Sequence, residues 1–273
     1  MKFLIIFFLI GNNLLLLGQT ISGTVFEMDG DVPIEYVSIG IIGKNVGAVS
    51  DQNGRYILQI NPEYHNDTLR FSYIGYRSYS VKVSDFINRN NWNVSLEKRD
   101  YELTELLIRP RNVRQRRLGI TAGKIMSTSF CYLSNSGGGH ETGILINNNK
   151  TVFVKEVNIN VADFDCDTAF FRINFYKPIE NQQFDNVLSN PIYHSITKQD
   201  IKNGKITIDL RQHNLVIEHD FLVTYEHLDL QGAIICFCAN PFRESYRRRV
   251  SFGTWVTTTF GGISISVLVD VER

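Results

Sequence analysis

Several groups of residues in this 273-residue chain have types and spacings that could do chemistry. Asp163-Phe164-Asp165-Cys166-Asp167 begins like the D-x-D-x-D of a calcium loop. Such a loop needs Gly at its sixth position for a sharp turn and Glu at its twelfth as a bidentate ligand. Those positions hold Thr168 and Asn174, so the stretch reads as an acidic turn between strands. His213, His219 and His227 cluster with Glu218, Asp220, Glu226 and Asp229. On one regular strand His219 and His227 would share a face, but eight residues at about 3.3 Å each put them about 26 Å apart, too far to share an ion. Solvent-facing polar positions are the expectation. His194, Ser195 and Asp200 are the residue types of a nucleophilic triad, which geometry defines and nearness in sequence does not. No G-x-S-x-G elbow, H-E-x-x-H metal motif or phosphate-cradling glycine loop accompanies them. No two acids are singled out as a glycosidase pair. The expectation is a chain with no catalytic residue, no cofactor-binding residue and no metal ligand, hence not an enzyme.

The four cysteines are Cys131, Cys166, Cys236 and Cys238. Cys236 and Cys238 stand two apart on an expected strand, a spacing that does not suit a bridge between them. Either could pair with Cys131 or Cys166, or all four could be small buried hydrophobes, the reading preferred here. Two basic clusters remain. The segment 109–117 holds five Arg and no acid. Arg243, Arg247, Arg248 and Arg249 sit beside Phe242 and Tyr246, where they could meet phosphate, lipid headgroups or acidic glycans. A solvated loop is the plainer reading.

The elements that must position these groups read as strands. Ile263, Ile265, Val267, Val269 and Val271 alternate with polar residues, as do Ile206, Ile208 and Leu210, and Phe171, Ile173 and Phe175. Period-two alternation puts one strand face in a core and the other in water. Further strands are expected at 21–27, 34–42, 55–60, 68–74, 76–83, 91–97, 102–108, 151–161, 220–228 and 232–239. Turn clusters such as Asp51-Gln52-Asn53-Gly54 punctuate them. Many short strands at this spacing indicate β-sandwiches.

At 43% hydrophobic the chain can bury a substantial core. Its 28 basic and 28 acidic residues argue against a whole-protein nucleic-acid binder. Lys2 followed by the apolar runs Phe3 to Ile10 and Leu14 to Leu17 has the form of a secretory signal peptide over residues 1–18. Cleavage after Gly18 is expected, with an uncleaved N-terminal anchor as the alternative. Cleavage would leave 27 basic against 28 acidic residues. The Arg-rich segment, within 99–118, reads as a strand and then an extended, solvated linker between a domain at 19–98 and another at 119–273.

Three stretches carry a family resemblance. They are Ile21-Ser22-Gly23-Thr24-Val25; Pro33 through Ile39, followed by Gly47 through Tyr56; and Leu69 through Tyr76. In this order they resemble the carboxypeptidase-regulatory-like domain. That resemblance implies a seven-stranded, transthyretin-like sandwich without catalytic groups of its own. The family is common in exported proteins of Gram-negative bacteria, including the N-termini of TonB-dependent outer-membrane receptors. Tyr73, Tyr76 and Tyr79 are expected to pack at the sandwich edge. Residues 170–176, 204–210 and 214–223 resemble the C-terminal half of other exported proteins with this domain, a half to which no activity attaches.

The resulting expectation is an all-β chain. An N-terminal transthyretin-like sandwich is followed by a second antiparallel β-sandwich of jelly-roll-like form. The role implied is a non-enzymatic binding or scaffolding protein, exported to the periplasm or outer-membrane surface. Its partner would be an envelope protein or glycan, with peripheral membrane contact and no nucleic acid. A carbohydrate-binding accessory module in glycan uptake or degradation is the alternative, and a hydrolase with its site in the second sandwich a third.

Overall fold

A computed structural model describes residues 18–99, 112–121, 128–133, 139–180 and 183–272. Seven strands come first: β1 (Gln19–Glu27), β2 (Ser38–Ile41), β3 (Gly47–Val49), β4 (Arg55–Ile60), β5 (Thr68–Ser72), β6 (Tyr79–Lys82) and β7 (Val94–Leu96). They form a three-stranded sheet, β4-β1-β7, and a four-stranded sheet, β3-β2-β5-β6. β4 shows why this sequence makes a half-buried strand. Tyr56, Leu58 and Ile60 point into the core while Arg55, Ile57 and Gln59 stay exposed. The turn before it closes on Asp51, whose Oδ1 accepts the backbone N–H groups of Asn53 and Arg55, each at 2.8 Å. Gly54 supplies the left-handed residue at φ +71°. The strand expected at 76–83 is shorter than its pattern. After Lys82 the chain makes one turn of helix, α1 (Val83–Ile87), and drives Phe86 fully into the core against Phe71. Gly75 lies in the turn between β5 and β6, at φ +93°. Tyr73, Tyr76 and Tyr79 are half-buried and pack against the margin of this core.

The remaining strands are β8 (Val113–Gly119), β9 (Thr128–Leu133), β10 (His140–Ile146), β11 (Val152–Pro178), β12 (Phe184–Asn186), β13 (Ile192–Ile196), β14 (Lys205–Asp209), β15 (Val216–Ile217), β16 (Phe221–Asn240), β17 (Ser245–Arg248), β18 (Val256–Thr258), β19 (Gly262–Ile263) and β20 (Ile265–Glu272). The 27-residue β11 organises them. Its first part, to Asn160, pairs with β14, β15 and β20, and its second part with β16, β13 and β12. One strand therefore serves two sheets. Their inner faces share a core in which Val157, Ile159 and Val267 from one side meet Phe171, Val223 and Tyr225 from the other.

The sequence pattern suggested a break at 163–167 and another between 228 and 232. Both stretches run on as strand. The β11–β16 ladder instead carries register shifts at Val161/Asp163, Asp165/Cys166 and Cys166/Thr168. Such bulges bend a strand without ending it, which lets β11 pass from one sheet into the other.

Two expectations are corrected here. The Arg-rich segment is not a linker in its described part. Val113–Gly119 is an edge strand, antiparallel to β20 from Gly119↔Ser266 to Val113↔Glu272. Arg114, Arg116 and Arg117 remain exposed, and an edge strand tolerates them because like charges there meet water and discourage further pairing. The cysteines are not four buried hydrophobes. β9 lies antiparallel to β16 with Cys131 directly opposite Cys236, and the two form a disulfide. Cys166 and Cys238 are thiols. The leader through Leu17, the strand expected at 102–108, Arg109 to Arg111 and most of the glycine-rich loop at 134–139 lie outside the described residues.

The two sandwiches dock closely. A Cβ added at Gly40 would stand 2.3 Å from the Ser251 carbonyl oxygen, and one at Gly47 2.6 Å from the same atom. The Gly43 N–H donates to the Phe252 carbonyl at 3.0 Å, and the Thr254 hydroxyl donates to the Gly43 carbonyl at 3.0 Å. Gly40→Val therefore clashes first with the Ser251 carbonyl across the seam, and less severely with the Val46 carbonyl and Gly47 of the module's own sheet, at 3.0 and 3.2 Å. The expected result is a single thermal transition in the native chain and two in the variant, by calorimetry. An unsplit, unshifted transition would show that Gly40 is not a close contact.

Candidate functional site

The residues that looked capable of chemistry are mostly kept apart. Asp163, Asp165 and Asp167 project from one exposed face of β11, on a continuous strand where a turn was expected. Among the described residues no group of three or more His, Cys, Asp or Glu is placed to hold a metal ion. His213 ends a short helical turn and His219 lies in a loop, whereas His227 is buried in β16 opposite His140. The reading of all three as solvent-facing fails at His227, because β16 is covered on both faces along this stretch. Burial drops its pKa to about 4. The Asp200 carboxylate caps Thr197, accepting from its N–H at 2.7 Å and its hydroxyl at 2.9 Å, and is pulled below its ordinary value by those bonds. Ser195 and His194 pair with Phe170 and Phe171 in the β11–β13 ladder, and adjacent strand residues face opposite ways. Of the second Arg cluster, Arg243, Arg247 and Arg249 are exposed. Arg248, on β17, turns inward.

The polar chemistry collects elsewhere. On β11, Arg172, Asn174 and Tyr176 share the face opposite Phe171, Ile173 and Phe175. Alternation predicts that face to be wet, yet Arg172 is 3% exposed and Asn174 1%. Register sets Arg172 against Glu226 of β16 and Asn174 against Thr224, with Glu141 of β10 between Glu226 and Arg248. Arg172 donates to both oxygens of Glu226, from Nε at 2.8 Å and Nη2 at 2.9 Å. Its remaining donors leave the sandwich. Nη1 reaches the Tyr36 carbonyl at 3.1 Å and Nη2 the Ser38 hydroxyl at 2.9 Å, both in the N-terminal module. Beside this pair Arg248 Nε donates to Glu141 at 2.7 Å. Asn174 Nδ2 bridges the two carboxylates at 2.9 and 2.7 Å. The Tyr176 hydroxyl donates to Glu141 at 2.9 Å, and the Thr224 hydroxyl also donates to Glu141. The Arg248 guanidinium lies 4.8 Å from the Trp255 ring centre.

Burial alone would push Glu226 up. The Arg172 charge and its hydrogen bonds, with Arg248 and Asn174, outweigh that and hold the carboxyl below its ordinary range. Burial likewise opposes the charge on Arg172, and Glu226 more than restores it. Burial keeps the Tyr176 phenol neutral. Two bulky residues turn carbonyls across the seam from the left-handed region, Tyr36 at φ +53° and Phe252 at φ +60°. Such backbone persists only where its surroundings enforce it. The Tyr36 ring is gripped by Phe170 at 4.9 Å and Tyr193 at 5.3 Å.

Next to this layer, between the module and the second sandwich, opens a cleft of about 490 Å³. The module lines it with Ser38, Arg70, Tyr73, Tyr76, Ser78 and Arg99. The second sandwich contributes Arg172, Asn174, Tyr176, Phe184, Asp185 and Arg248. Its walls combine aromatic rings, hydroxyls and guanidinium groups, which suits a polar ligand with flat apolar faces. Sequence reading missed the cleft because its two walls lie far apart along the chain. The polar residues interleaved with Phe171, Ile173 and Phe175 were the available signal.

Residues 21–108 match a family model described as the CarboxypepD_reg-like domain. The chain therefore has an N-terminal carboxypeptidase-regulatory-like, transthyretin-like domain, a little longer than the 19–98 read from sequence. No curated protein matches the chain. Among solved structures, the chain is similar to the structure of infectious bursal disease virus Gt strain at 10% identity and a TM-score of 0.27. It covers 93% of this chain and 59% of that one. A second similarity is to the VP2 subviral particle of the same virus, at 12% identity, TM-score 0.25, and coverage of 93% and 78%. Likeness at this level is no basis for carrying a fold or a role across.

Two outcomes follow from these buried groups. Arg172→Met strands the Glu226 carboxylate, and losing one partner of a buried pair costs about 3–5 kcal/mol. Arg172→Met with Glu226→Leu is expected to recover most of that in urea unfolding. An equal loss in both variants would mean that packing, not charge, is what Arg172 supplies. His227 has a folded pKa near 4 against an ordinary 6.5, so the unfolded chain takes up its proton first. Its stability contribution, roughly 3 kcal/mol, is complete above pH 6.5 and disappears as pH falls towards 4. Burial also lowers His140, His194 and His213, which act in the same direction. Melting temperatures across that window are expected to fall, and less steeply in His227→Gln.

Proposed function

We propose that this β-sandwich protein, built around a non-catalytic carboxypeptidase-regulatory-like module, is an exported binding protein of the cell envelope. Its ligand is a glycan seated in the cleft between the two sandwiches. The cleft itself is the observation that carries the reading, because both sandwiches build it and its lining mixes aromatic faces with hydroxyl and guanidinium donors. A recess of this size suits a short stretch of saccharide better than a flat protein surface. The hydrophobic leader supports export to the periplasm or outer-membrane surface. The Cys131–Cys236 disulfide fits an oxidising compartment.

Glu141 and Glu226 converge on Asn174, but they do not serve as the acid and base of a hydrolase. Both are fully buried, and each carboxylate is held by an arginine of the protein. Their role is to anchor Arg172 and Arg248 within the second sandwich, and Arg172 in turn reaches the module.

A glycan array probed with the mature chain, alongside a pull-down from envelope extract, tests the proposal. Array binding is expected, and Ser78→Trp, which fills the cleft from an exposed position on its wall, is expected to abolish it without lowering the melting temperature. Retention of an envelope protein with no glycan bound would assign a scaffolding role instead.

A further inference from the structure

We infer that the saccharide taken by this cleft is anionic, carrying carboxylate or sulfate groups. This rests on the binding reading above and names its ligand class. Four arginines reach the cleft, in two kinds. Arg172 and Arg248 are each matched by a buried carboxylate behind the wall, at 2.8 and 2.6 Å, so they add no net charge. Arg70 and Arg99 stand on the module's side and enter no ion pair among the described residues. Neighbouring module cations are already matched, Arg77 by Glu97 at 3.2 Å and Lys98 by Glu27 at 2.8 Å. Asp185 is the one acid in the cleft lining among the described residues. Among the described residues, two guanidinium groups outside any ion pair stand against one carboxylate, which leaves the recess positive in an otherwise charge-balanced chain.

Arg70 is also pre-positioned. Its Nε donates to the Ser80 hydroxyl at 3.1 Å, and its guanidinium lies 5.9 Å from the Phe252 ring centre. Holding one edge this way leaves the other donors to a ligand. Guanidinium groups present paired donors matched to carboxylate and sulfate oxygens. Tyr73 and Tyr76 stand beside them on the same wall, with ring centres 5.4 Å apart, and offer apolar faces for the sugar rings. A neutral glycan would use those rings and leave the two charges unanswered.

Titration calorimetry on the mature chain tests this with three oligomers of equal length: a polygalacturonate, a sulfated galactan and a neutral galactan. An acidic oligomer is expected to bind at least tenfold tighter than the neutral one, with affinity falling as salt rises. The stronger of the two acidic oligomers identifies the group. Arg70→Gln and Arg99→Gln are each expected to cost about tenfold, and Arg70→Lys and Arg99→Lys to retain more, with melting temperatures unchanged. Equal binding of acidic and neutral oligomers would overturn the inference and leave the binding reading standing. Binding of none of the three, with an envelope protein captured from extract, would overturn both.

Discussion

The fold turns on one side chain that must be satisfied in two places. Arg172 sits mid-strand in the second sandwich, too deeply buried to be solvated. Its bidentate bond to Glu226 neutralises the charge but uses only part of the guanidinium fork. The remaining donors have no acceptor in their own sandwich that they use. They are completed by the Tyr36 carbonyl and Ser38 hydroxyl of the module. A buried pair of this kind contributes little net stability compared with apolar packing, but is costly when half-made. Its effect is therefore to specify. Only the docked arrangement completes the network, and a shifted one leaves a buried cation short of partners.

That requirement extends outward. Glycines at 40 and 47 let a backbone strand of the module meet the loop carrying Ser251 at a distance no side chain permits. Tyr36 and Phe252 hold left-handed backbone so that their carbonyls face across the seam. On the second sandwich the same face continues through Asn174 and Tyr176 to Arg248, which reaches Glu141 across the neighbouring strands. The cleft is the part of this seam that the two surfaces leave unfilled, so its shape depends on the docking that Arg172 specifies.

The second sandwich can present such a face because its longest strands are not interrupted. β11 bends through bulges from one sheet into the other, and the Cys131–Cys236 bond ties β9 to the far half of β16. Closing a disulfide between residues 105 apart restricts the unfolded chain considerably. The apolar inner face and the polar outer face of β11 thus belong to different boundaries, one with its own opposing sheet and one with the module.

Alternation was enough to place most strands, because a half-buried strand writes its two faces into every second residue. Residues 55–60 were legible to the residue, and the turn at Asp51 to Gly54 likewise. The family resemblance implied seven strands in the module, and seven lie among its described residues. Local pattern did not show that the apparent breaks near 165 and 230 are bulges, since both put irregular spacing into the sequence. Nor did it show that Val113–Gly119 is an edge strand, because charge density says how a segment is solvated and not what it pairs with. It also could not tell that the polar face of Arg172 and Asn174 is dry. Period two reports which side of a strand is apolar. What covers the other side is decided by a surface from elsewhere in the chain, and so are the cysteine pairing, the burial of His227 and the cleft. Each depends on contacts between residues far apart in sequence, whose register only the folded chain sets.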